Sequence, residues 1–198
     1  LDAEFVFVIY DSARDKYFAA RDPVGIRPMF YGYTEEGSIM FASEMKALHN
    51  LCKHVKPFPP GHYYDGKRFI SFRDISAVSE YTEDSTEEIF RNINHLLTRA
   101  VEKRLQSDVP VGFLCSGGLD SSLVCAIGQR LLDKPIKTFA VGINEDPIDT
   151  KYARQVAEYL GANHTEVLFT KQDIFDTLST LIYNLETWDI TTIRASMG

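Results

Sequence analysis

The chain has 198 residues, 44% hydrophobic and 12% aromatic, which suits one or two globular domains with a real core. Its formal net charge of −7 excludes a general nucleic-acid binder, which needs clustered Lys and Arg to neutralise phosphates. No apolar run approaches the roughly 20 residues of a membrane-spanning helix and no secretory signal opens the sequence, so no membrane partner is expected and the default location is cytoplasmic.

From the start, residues 4–10 alternate around Phe5, Phe7 and Ile9, and residues 16–20 continue the strand composition after the turn-prone Asp11-Ser12, which predicts a hairpin. Phe30 to Tyr33 and Ile39 to Ala42 flank Thr34-Glu35-Glu36-Gly37 and predict a second hairpin, with Gly37 free to take a positive φ. Between them, Arg21 and Asp22 are expected to form a structural pair, while Pro23, Gly25 and Pro28 shape a turn. A short helical stretch follows Ser43-Glu44 through Leu48. The Pro57, Pro59, Pro60, Gly61 cluster then breaks the pattern ahead of two short strands around Asp65-Gly66. Residues 74–85 are polar and irregular, and the domain boundary is expected there, dividing the chain into 1–75 and 76–198.

Beyond it the periodicity changes. Ser85 and Glu88 have the spacing of a capping box, and Ile89, Ile93, Leu96, Leu97, Ala100, Val101 and Leu105 keep one helical face apolar, expected to pack as core. The remainder alternates: strand 109–115, helix 119–132, strand 137–143, helix 149–160, strand 165–169 and helix 174–185. Such alternation calls for parallel strands joined by crossover helices, with ligands beyond the carboxyl ends of the strands. The expected fold class is therefore α+β followed by α/β.

One strand–loop–helix unit carries chemistry. After Val111 to Cys115 comes Ser116-Gly117-Gly118-Leu119-Asp120-Ser121-Ser122, followed directly by an apolar helix. Gly117 and Gly118 let main-chain N–H groups approach phosphate oxygens, Ser116, Ser121 and Ser122 add hydroxyl donors, and the helix N-terminus supplies favourable potential. Asp120 is unsuited to direct phosphate contact but suits a Mg2+ that keeps most of its waters and bridges to phosphate. The loop lacks the Gly-Lys-Ser/Thr ending of a Walker A motif and does not match GxGxxG, so cleavage between the α- and β-phosphates is indicated. Cys52, Cys115 and Cys125 are odd in number and show neither CxxC nor Cys/His metal spacing, so reduced thiols are expected. The five histidines, His164 among them, form no nucleophile or metal constellation and are read as surface or capping residues.

The SGGLDSS loop after a buried strand resembles the PP-loop of the ATP pyrophosphatase group. The flanks are similar to glutamine-dependent asparagine synthetases along nearly the whole chain: residues 21–28 and 41–48, the Ser107-Asp108-Val109-Pro110-Val111-Gly112 approach to the loop, and residues 186–196. The resemblance implies the end of a β-rich, N-terminal-nucleophile-type glutaminase domain, then a parallel-sheet, adenine nucleotide alpha hydrolase-like domain. It implies ATP and Mg2+, with Asp120 on the metal. Leu114, Cys115, Val141 and Gly142 would lie around the adenosine, although a leucine is more usual where Cys115 stands. Thr191 and Arg194 would lie near the acyl-adenylate and departing pyrophosphate.

The implied reaction converts aspartate to asparagine through β-aspartyl-AMP, with ammonia from glutamine, and the partners are ATP, aspartate, and glutamine or ammonia; a homodimer is compatible with it. The family's N-terminal cysteine nucleophile and its SGEGSDE-type loop lie outside this sequence. Leu1 in place of Met, and a helix-like stretch that stops at Met197-Gly198, further suggest ends cut inside structure, and the expectation is a piece inactive alone. A β-lactam synthetase-like PP-loop ligase and a non-catalytic nucleotide-binding homologue are the alternative readings.

Overall fold

In the computed structural model, residues 2–78, 80–143 and 148–197 are described. They form two compact units, Leu1–Thr82 and Glu83–Gly198.

The first unit is antiparallel β throughout. Strands β1 (Val6–Asp11) and β2 (Lys16–Arg21) make the expected hairpin, and β6 (His62–Tyr64) and β7 (Phe69–Ser71) extend it in the order β1-β2-β6-β7. A second sheet runs β4-β3-β5, from β3 (Phe30–Tyr33), β4 (Ile39–Ala42) and β5 (Lys53–Pro57). Gly37 takes the positive φ (84°) its hairpin needs. Ala19, Met29, Phe58 and Tyr64 are buried between the sheets, with Tyr31, Phe41 and Phe69 packed against them. The rings of Tyr31 and Phe69, 4.6 Å apart, and of Phe58 and Phe69, 5.0 Å apart and edge to face, lock the two layers together. The helical stretch at 43–48 narrows to a 3-10 turn, Met45–Ala47.

Three expectations for this unit are corrected or extended. Strand β5 has no alternation to reveal it, because His54 at φ 54° sits where the register to β3 shifts. Among the described residues no hydrogen bond or short ion pair joins Arg21 to Asp22, whose charges attract only at longer range. The Arg21 guanidinium donates to the carbonyls of Gly25, Arg27 and Phe58, and the Asp22 carboxylate accepts from the amides of Val24, Gly25, Ile26 and Arg27. Gly61, at φ 65°, has no room for a Cβ, which would lie against the Arg73 carbonyl.

In the second unit, α1 (Thr86–Arg104) opens on the full capping box between Ser85 and Glu88. It packs against α2 (Leu119–Leu131). Its apolar stripe is only partly core: Val101 is buried and Ile89, Leu97, Ala100 and Leu105 are half-buried, but Ile93 and Leu96 are exposed, because α2 covers one edge of the stripe. A three-stranded parallel sheet runs β10-β9-β8, from β8 (Gly112–Leu114), β9 (Lys137–Ile143) and β10 (Asn163–Phe169). Helix α3 (Ile148–Leu160) joins β9 to β10, and α4 (Lys171–Leu185) and α5 (Ile190–Ala195) follow. Strand β8 is shorter than expected, its regular pairing starting only after Pro110, and α4 starts earlier because Thr170 and Asp173 form a second capping box. The core gathers Phe113, Cys115, Cys125, Ile136, Ala140 and Ala153. His164 is a correction too: its side chain is 11% exposed and its Nδ1 lies 2.8 Å from the Oγ1 of fully buried Thr138. Among the described residues no helix is long and apolar enough to cross a membrane.

Candidate functional site

The parallel sheet makes a step at the carboxyl end of β8. Leu114 pairs with Phe139, and the Cys115 amide still donates to the Phe139 carbonyl at 2.8 Å. There β8 ends, while β9 continues through Val141 and Gly142, which pair only with Val167 and Leu168 of β10. The side of β9 facing the end of β8 is therefore left open beside the loop, which is where open parallel sheets take ligands.

The loop is braced from inside. The Ser116 amide donates to the Ser121 hydroxyl at 3.2 Å, the two hydroxyls lie 3.0 Å apart, and the Ser121 hydroxyl also donates to the Gly118 carbonyl at 3.3 Å. Gly117 has φ 77°, and a Cβ there would stand 2.5 Å from Tyr152 of α3, so glycine is required both by conformation and by the close approach of that helix. Gly118 is under no such pressure: its φ is −74° and the nearest atom to an added Cβ is the Ser116 hydroxyl, at 3.4 Å.

Gly118 is also the N-cap of α2, and it supplies no side chain to cap it. Among the described residues the amides of Gly117, Leu119, Asp120 and Ser121 find no acceptor, and the exposed Asp120 carboxylate has no hydrogen-bond or ion-pair partner. A helix start with free amides and an adjoining free carboxylate suits a phosphate group with its metal ion. No cluster of three His, Cys, Asp or Glu able to hold a metal exists among the described residues. One carboxylate is what a Mg2+ carried mainly by phosphates and water requires, so the donor set fits such an ion.

The other expected residues are placed as follows. Leu114 is exposed (77%), Val141 is half-buried and Gly142 buried, and all three border the step in the sheet. Cys115 is 1% exposed with its thiol directed at the Ala153 carbonyl, so only its main chain faces the step. The Ser122 hydroxyl is buried and has no hydrogen-bond partner among the described residues. Thr191 and Arg194 are exposed on α5, which packs on α4, and among the described residues no hydrogen bond or ion pair links them to the loop. The start of α5 is fixed by Asp189, whose carboxylate accepts from the amide and the hydroxyl of Thr192, both at 2.7 Å; these bonds hold that carboxyl below its ordinary value.

Sequence reasoning missed the role of α3, whose Tyr152 and Ala153 back the loop at Gly117. The signal was the left-handed glycine itself, but the partner was a long-range contact. A groove of about 400 Å³ between α2 and α3, lined by Leu119, Leu123, Tyr152 and Tyr159, adjoins the loop on its helix side; its walls are mainly apolar and do not suit phosphate.

Comparison with known proteins shows the family of the chain. The family profile described as Asparagine synthase matches residues 92–198, and that described as Glutamine amidotransferase domain matches residues 1–103. Glutamine-hydrolysing asparagine synthetase 2 of Arabidopsis thaliana is 44% identical over 99% of this chain, which covers 36% of that protein. Probable glutamine-hydrolysing asparagine synthetases of Dictyostelium discoideum and Acanthamoeba polyphaga mimivirus are 40% and 42% identical over 99% of the chain, covering 38% and 40% of their lengths. The chain thus spans well under half the length of these relatives, yet it includes parts of both halves, an antiparallel glutamine amidotransferase domain followed by a parallel-sheet synthase domain, and it belongs to the asparagine synthase family.

Proposed function

We propose that this chain is the central part of an ATP-dependent, amide-forming ligase that makes asparagine from aspartate, using ammonia released from glutamine and yielding AMP and pyrophosphate. The observation that carries the reading is the loop at 116–122, where several main-chain amides at a helix start without a side-chain cap, and the Asp120 carboxylate beside them, have no partner among the described residues.

In this reading the amides of Gly117, Leu119, Asp120 and Ser121 bind the β- and γ-phosphates while the aspartate carboxylate attacks the α-phosphorus, and Asp120 would hold a Mg2+, which would supply positive charge to the departing pyrophosphate. The adenosine lies across the end of β8 against Val141 and Gly142, with Leu114 covering one side. Thr191 and Arg194 reach the acyl-adenylate from α5, Arg194 through a guanidinium fork that suits carboxylate or phosphate. Adenylation turns a poor leaving oxygen into a good one, and ammonia then displaces AMP. The junction between the two activities belongs to the polar stretch around 75/76. A cytoplasmic location and small-molecule partners complete the proposal; the three free cysteines favour a reducing compartment.

Calorimetry with MgATP tests it. The parent chain is expected to bind, with Asp120→Ala and Ser116→Ala weakening the affinity by about tenfold or more. Equal affinity in parent and variants would place the nucleotide elsewhere.

A further inference from the structure

The two buried thiols of the second unit take no part in the chemistry above, yet they bracket the loop on both sides. Cys115 closes β8 directly before Ser116, and Cys125 lies in α2 three residues after Ser122. They are 1% and 0% exposed and share one core cluster. The Cys125 sulfur lies 4.0 Å from the carbonyl of Leu114, the residue that precedes Cys115, and the Cys115 sulfur is directed to the same interior, 4.0 Å from the carbonyl of Ala153.

We propose that Cys115 and Cys125 form a redox-sensitive dithiol, whose disulfide closes a covalent ring around the whole Ser116–Ser122 loop and shuts off nucleotide binding. The bridge draws the sulfurs to about 2 Å, pulling the end of β8 onto α2 and fixing the strand-to-helix turn between them. Its consequence for nucleotide rests on the function proposed above; the bridge itself does not.

A peroxide is the oxidant class. The Cys115 sulfur attacks a peroxide oxygen, the O–O bond breaks, and a sulfenic acid and one water result. The Cys125 sulfur then displaces the sulfenic oxygen, forming the S–S bond and a second water, so both thiol protons leave in the two waters. Cys115 is assigned the first attack because exposed Leu114 and Ser116 flank it, whereas Cys125 is enclosed within a helix. Burial, reinforced by the neighbouring Cys115, pushes the Cys125 thiol up to about 12, which keeps the closed pair inert and makes oxidation follow local opening of the loop.

The test uses the chain carrying Cys52→Ser, exposed to hydrogen peroxide and digested without reductant. Expected are a linked pair of peptides containing Cys115 and Cys125, loss of two hydrogens in mass, reversal by dithiothreitol, slower amide exchange at 116–122, and an affinity for MgATP about tenfold weaker in the oxidised form. Cys125→Ala, checked for folding by circular dichroism, is expected to bind MgATP indifferently to peroxide. Thiols that stay reduced, or that proceed separately to sulfinic or sulfonic acids, overturn the dithiol; a bridge that leaves loop exchange and MgATP affinity unchanged overturns the switch. A bridged chain whose reduced form never bound MgATP removes the nucleotide reading and leaves the dithiol standing.

Discussion

Two loops in this chain each combine an aspartate with a left-handed glycine, and their hydrogen bonding is opposite. In residues 21–28 the groups are consumed: four amides point at the Asp22 carboxylate, and the Arg21 guanidinium reaches three carbonyls. In residues 116–122 Ser116 and Ser121 brace the turn, while the amides of Gly117, Leu119, Asp120 and Ser121 and the Asp120 carboxylate keep no partner among the described residues. Buried polar groups are nearly always paired, so the first loop is finished structure. The second holds its donors at the surface, where a ligand supplies the acceptors. The carboxylates mark the same contrast: Asp22 is 2% exposed, and Asp120 is exposed beside an uncapped helix.

The largest effect is expected from breaking the closed loop. Asp22→Ala removes a buried carboxylate that four part-buried amide bonds share and should cost about 2–3 kcal/mol in the first unit, read by chemical denaturation. Its pH dependence follows. Burial alone would raise the Asp22 carboxyl, but the amides of Ile26, Arg27, Gly25 and Val24 outweigh it and hold the group below its ordinary value. A carboxyl depressed in the folded state contributes stability that is complete above the unfolded value of about 3.9 and is lost as pH falls through the lower folded value. Asp22→Ala should flatten that acid limb of the stability profile; an unchanged limb would show that another group produces it.

Next comes the conformational demand of the open loop. Gly117→Ala places a Cβ against α3 at a left-handed residue and should cost about 2–3 kcal/mol, whereas Gly118→Ala should stay within about 0.5 kcal/mol, both measured by thermal denaturation of the second unit. Equal costs would mean that α3 does not back the loop. Ser85→Ala, which removes the cap of α1, should cost about 1 kcal/mol and leave nucleotide binding alone. Smallest in stability is Asp120→Asn, expected within about 0.5 kcal/mol of the parent while removing the Mg2+ dependence of ATP binding. A large loss of stability there would make Asp120 a structural residue like Asp22.

What was legible in the sequence was local. The capping box at Ser85 and Glu88, the hairpin around Gly37 and the strand–loop–helix read at 109–132 each declare themselves within a few residues, and each is found, the last with a shorter strand, Gly112–Leu114. What was hidden depends on contacts distant in sequence. Arg21 and Asp22 read as a pair because charge is visible and carbonyls are not. His164 read as a surface residue because its partner Thr138 stands 26 positions away. Strand β5 was masked by a left-handed His54 that breaks alternation. In the candidate site, the loop residues were recognisable by type, but the burial of the Cys115 thiol and the Ser122 hydroxyl was decided by α2 and α3 packing over the sheet.

The most direct test of the contrast between the loops is an amide-resolved NMR titration of the chain with pyrophosphate and Mg2+. The account predicts the largest shifts at Gly117, Leu119, Asp120 and Ser121, and none at Val24 to Arg27, whose amides already have their acceptor. Shifts confined to scattered surface Lys and Arg neighbours, or equal in the two loops, would contradict it.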